Sequence, residues 1–130
     1  MANGLLTGAY GKEAKFDAKY DYRSVMPQFT AEAAEQNRAL LALLRDLAEQ
    51  KHATPAQISL SWMLHKYPNV VPIPGSKNQE RILENLGAWN VALTDSEFAA
   101  LEAALATIPV HGHRGFVEQQ GSSMANWNRK

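Results

Sequence analysis

The sequence contains no cysteine in 130 residues. Disulfides, thiolate metal sites and a cysteine nucleophile are therefore excluded, and a reducing compartment fits. It carries no net charge, because thirteen basic side chains balance thirteen acidic ones. Such a chain has no electrostatic reason to take nucleic acid or an anionic membrane as its main partner. No apolar run approaches the ~20 residues that span a bilayer. The first twenty residues lack the apolar core of a secretory signal, so a cytoplasmic location is expected. There is no internal repeat and no G-x-S-x-G turn of a serine hydrolase. What remains, at 45% hydrophobic and 20% charged residues, is the composition of a single globular domain.

Residues 1–30 read as one long loop. "GLLTGAYG" has three glycines in eight residues, and aromatics mix with charges after it at no clear period. Long structureless loops are uncommon and often functional. Tyr10, Tyr20 and Tyr22 are assigned packing roles there. Thr30 then caps a helix over residues 31–51, with Leu40, Leu41, Leu44, Leu47 and Ala48 on one face. Thr54, Pro55 and Gln57 form a capping box that opens a second helix to about residue 65, burying Ile58 and Trp62. "KYPN" ends it.

"VVPIP" is apolar on both alternating faces and predicts a short strand over residues 69–75, although Pro72 and Pro74 each remove a ladder donor. A helix from Gln79 follows, with Ile82, Leu83 and Leu86 as its apolar stripe and Gly87 as its C-terminal cap. "TDSE" opens a last helix over residues 94–108, with Phe98, Leu101 and Leu105 inward. Residues 109–130 read as a tail. One strand alone cannot make a sheet, and its backbone groups need partners.

The turn at Gly75, Ser76 and Lys77 sits at a helix N-terminus, where free N–H groups favour an anion. Arg81, Glu84 and Asn85 share one face just beyond it. Arg suits a phosphate or a purine face, and Asn suits an adenine edge. The plain alternative is that Ser76 and Asn78 only cap, while Lys77 and the Arg81–Glu84–Asn85 face are solvated.

"GLLTG", "TPAQISLSWMLHK", "VVPIPGSKNQERILENLGA" and "LTDSE" occur in the order and spacing seen in aldo-keto reductases, and the chain resembles that family from Gly4 to about Arg114. The resemblance implies an α/β fold, the C-terminal part of a (β/α)8 TIM barrel. On that reading residues 1–30 are the loop after strand seven, 31–66 helices, 69–75 strand eight, and 76–88 the adenosine-binding turn and helix. Residues 94–108 become the last helix and 109–130 the C-terminal tail. It further implies that Ser76, Lys77 and Arg81 contact the 2′-phosphate of NADP(H), with Arg81 also stacking on adenine. Gln79, Glu84 and Asn85 would hold the adenosine. Many members carry Lys where Gly75 stands, and Lys77 takes over that charge. Gly4 belongs to the loop that crosses the pyrophosphate.

The family's catalytic Asp, Tyr, Lys and His lie earlier than the part represented here. The complete enzyme is expected to reduce small aldehydes or ketones, and this chain by itself neither to catalyse nor to retain cofactor. The rival expectation is a non-catalytic, self-associating helical module derived from a truncated reductase. His111 and His113 are assigned to a solvated tail because no third metal ligand is signalled. Trp62 and Trp89 are read as core aromatics, and Trp127 as a pocket contact.

Overall fold

The computed structural model describes residues 1–113. Among them there are five α-helices: α1 (Ala31–Gln36), α2 (Arg38–Gln50), α3 (Pro55–Lys66), α4 (Gln79–Gly87) and α5 (Asp95–Thr107). Short 3-10 turns at Ala2–Thr7, Tyr22–Val25, Pro27–Phe29 and Ala88–Asn90 complete the list. No described helix is long and apolar enough to cross a membrane.

The caps explain the starts. Thr54 and Gln57 exchange both bonds of a capping box before α3, and Thr94 and Glu97 do the same before α5. Thr30 accepts from Ala33 N–H at α1, and Asn78 accepts from Arg81 N–H at α4. Leu40, Leu44 and Ala48 of α2 pack on Ile58 of α3, with Leu6, Val91, Leu105 and Ile108 against them. Ile58 has no solvent exposure. Full burial of such a side chain is worth about 2–3 kcal/mol. α3 is the central element, touching α2, α4, the 88–90 turn and the N-terminal segment. Trp62 Nε1 and Lys66 Nζ both donate to Glu102, at 2.7 and 2.6 Å, and so fasten α5 to α3.

Several expectations need correction. Residues 69–75 form no strand: Val70 to Ser76 has no regular secondary structure, and Val70 N–H closes a turn onto the Tyr67 carbonyl at 3.0 Å. Two of its residues are prolines, and no described segment runs alongside to supply partners. The 31–51 helix is broken at Asn37, which is fully buried. Its amide donates to the His111 carbonyl at 2.8 Å and accepts from His111 N–H at 2.9 Å. That exchange docks residues 109–113, so His111 is not part of a solvated tail. Gly87 is right-handed (φ −59°), not a left-handed cap. Trp89 is 81% exposed, and Ile82, Leu83 and Leu86 face solvent rather than a core. The 1–30 loop contains three 3-10 turns pinned by a Tyr10–Phe16–Phe29 cluster. Trp127 lies outside the described residues.

Candidate functional site

A cleft of about 740 Å³ opens between the N-terminal segment, α3, the irregular 70–76 segment and α4. That size falls within the range of small-molecule sites. Ala56, Leu60 and Met63 of α3 contribute an apolar part of the lining, and Val70 to Pro74 another.

The polar side is built by local rules. Asn78 N–H donates to the Ser76 hydroxyl at 3.1 Å, which folds the turn back on itself. The Asn78 side chain then accepts from Arg81 N–H at 3.1 Å and starts α4. Helical spacing sets Arg81, Glu84 and Asn85 on one face. Gln57 fixes that face from below: its Nε2 donates to the Glu84 carbonyl at 2.9 Å while its Oε1 accepts from Thr54 N–H. With the described residues the Arg81 guanidinium forms no hydrogen bond or ion pair.

Gly4 borders the same cleft. Its φ is +98°, and a β-carbon there would stand 2.8 Å from Tyr10 Cε2. Both the backbone conformation and the close ring demand glycine. Thr7 Oγ1 donates to the Gly4 carbonyl at 2.6 Å and braces the turn.

Of the residues singled out in the sequence, Gly4, Gly75, Ser76, Arg81, Glu84 and Asn85 come together as lining. Lys77 and Gln79 do not line the cleft; both lie exposed, in the turn and at the first position of α4. Asn78 does cap α4, so the plain capping role and the cleft coexist in one turn. Among the described residues no cluster of His, Asp or Glu could hold a metal.

Sequence reasoning missed Arg23. Its Nε lies 2.9 Å from Asp21 Oδ1 and its Nη2 lies 2.6 Å from Asp21 Oδ2. Its guanidinium carbon sits 4.5 Å from the centroids of both the Tyr10 and Phe16 rings. The hydrogen bonds from Arg23 hold the Asp21 carboxyl below the usual carboxylate range, and the bond to Asp21 raises the guanidinium in turn. The available signal was the Asp21–Arg23 spacing beside loop aromatics, which packing alone also explains.

A model of the Aldo/keto reductase family matches residues 1–106. Aldo-keto reductase str7 of Strobilurus tenacellus is 33% identical over 114 residues, which are 88% of this chain and 34% of that protein. A Schizosaccharomyces pombe relative, aldo-keto reductase yakc, carries NADP(+) in its name. It is 32% identical over 114 residues, 88% of this chain and 33% of its own length. The chain thus spans about a third of the length of these curated relatives. No solved structure matches significantly. The family model and the relatives agree over nearly the whole described region, and the chain belongs to the aldo/keto reductase family.

Proposed function

We propose that this chain is the part of an NADP(H)-dependent aldo-keto reductase that holds the adenosine end of the cofactor. The observation that carries the reading is the convergence of Gly4, Ser76, Arg81, Glu84 and Asn85 on one cleft, with the Arg81 guanidinium unengaged by described residues. The donor set fits the group. A guanidinium and a hydroxyl suit a phosphate, a carboxylate accepts from hydroxyl or amine groups, and an amide matches an adenine edge.

Arg81 would pair with the 2′-phosphate and lie against the purine, with the Ser76 hydroxyl adding a donor. Glu84 and Asn85 would hold the adenosine, and the Gly4 segment would border the pyrophosphate; Lys77 and Gln79, outside the cleft lining, are left without a contact. When bound, the cofactor supplies a hydride for a carbonyl carbon. In the complete (β/α)8 barrel, residues 69–75 would be the eighth strand and gain pairing partners there. The 130-residue chain by itself is proposed to have no reductase turnover. Its location is proposed as cytoplasmic.

Binding by the isolated chain is the measurable consequence of this reading. Calorimetric titration with NADP+ should give a saturable, salt-sensitive signal that Arg81→Ala weakens. An identical response in the variant would count against the site.

A second reading rests on a different observation. Val71, Ile73, Leu86 and Trp89 are 81%, 93%, 65% and 81% exposed. An apolar surface of this kind favours association. A non-catalytic chain that pairs with copies of itself through such exposed apolar residues is the rival.

A further inference from the structure

We propose that Arg23 is a second anion-binding residue of this cleft and takes an oxyanion of the cofactor's pyrophosphate beside Gly4. The inference rests on reading the cleft as a nicotinamide-dinucleotide site.

The cleft's charged side chains are Arg23, Arg81 and Glu84. The two cations come from separate elements, one from the N-terminal segment and one from α4. Two separated cations fit a ligand with two separated anionic groups better than a ligand with one. Arg23 is also held in place before any ligand arrives. Asp21 engages Nε and Nη2. Nη1, which Asp21 does not engage, lies 3.8 Å from where a β-carbon on Gly4 would stand. The guanidinium is stacked on Tyr10 and Phe16. A planar fork fixed by a carboxylate and two rings loses little freedom on binding an oxyanion. Asp21 offsets part of its charge, so the gain is moderate, and orientation supplies most of it. Tyr10 has a double part, since its ring fills the space over Gly4 and supports the guanidinium.

The test uses two ligands on the 130-residue chain, read by calorimetry. One is 2′-phospho-ADP-ribose, which carries the pyrophosphate and the 2′-phosphate. The other is 2′-AMP, which carries only the latter. Arg23→Gln should weaken the first about tenfold, the loss of one charge-assisted hydrogen bond, and leave the second unchanged. Arg23→Lys should recover part of the loss, and Arg81→Ala should weaken both. If Arg23→Gln weakens both ligands equally, Arg23 only holds the loop together and the inference fails. If Arg81→Ala weakens both but Arg23→Gln weakens neither, the Arg23 assignment alone fails. If Arg81→Ala leaves both unchanged, or the unmodified chain binds neither, the cleft reading falls and takes this inference with it.

Discussion

The side chain of Gln57 fills the space that a β-carbon on Gly87 would need; the gap to Nε2 would be 2.6 Å. That nitrogen donates to the Glu84 carbonyl, so the glycine lets α3 brace the helix that carries Arg81 and Asn85. Gly87 has ordinary helical torsions, and alanine would be conformationally welcome there. The two effects oppose each other. Gly87→Ala should lower the melting temperature in the native sequence, by displacing Gln57 from its bonds. In a Gln57→Ala background the same change should stabilise, by about 0.5–1 kcal/mol. A double-mutant cycle by thermal melting checks the change of sign.

Asn37 ties the α1–α2 break to residue 111 through two hydrogen bonds across 74 positions. Asn37→Ala leaves the N–H and carbonyl of part-buried His111 without these partners. The expected cost is about 2–4 kcal/mol in urea unfolding. A loss under ~0.5 kcal/mol would show that the 109–113 segment is not docked in solution.

Glu97 accepts from Lys51 at 2.7 Å. That bond first, then the one from Thr94 N–H, hold its carboxyl at about 2 against an ordinary 4.5. A lowered carboxyl contributes stability above its ordinary pKa and loses it as pH falls through the folded value. Glu97→Gln keeps an acceptor for the capping box but loses the ion pair. The native chain should therefore melt above the variant at pH 7, and the gap should close between about pH 4.5 and 2. A gap independent of pH would remove Lys51 from the explanation.

What was legible in the sequence was local. Thr54–Gln57 and Thr94–Glu97 announce their helices because a capping box is complete within four residues. The convergence of Arg81, Glu84 and Asn85 also follows from spacing on one helix. What was not legible depends on distant partners. Asn37 breaks a helix for the sake of His111, Gly87 serves Gln57, and Arg23 is stacked on Tyr10 and Phe16 from earlier in its loop. The predicted stripe at Ile82, Leu83 and Leu86 has correct helical periodicity, yet periodicity does not say whether a surface exists to receive it.

Exposed Leu86 of that stripe, together with exposed Ile73, yields a further expectation. Ile73→Lys and Leu86→Lys change residues that are 93% and 65% exposed, so stability should move by less than ~0.5 kcal/mol. If the rival reading is right, the pair of changes abolishes a dimer in analytical ultracentrifugation. If the native chain sediments as a monomer at the same concentrations, that reading is finished.

The central claim is that Arg81 and its neighbours recognise a 2′-phosphate. Its most direct test is the ratio of NADP+ to NAD+ affinity for the native chain, measured by calorimetry in one buffer. The account predicts that NADP+ binds at least about tenfold more tightly, as one charge-assisted contact to the phosphate requires, and that Arg81→Ala removes the difference. Equal affinity of the native chain for the two nucleotides would contradict it.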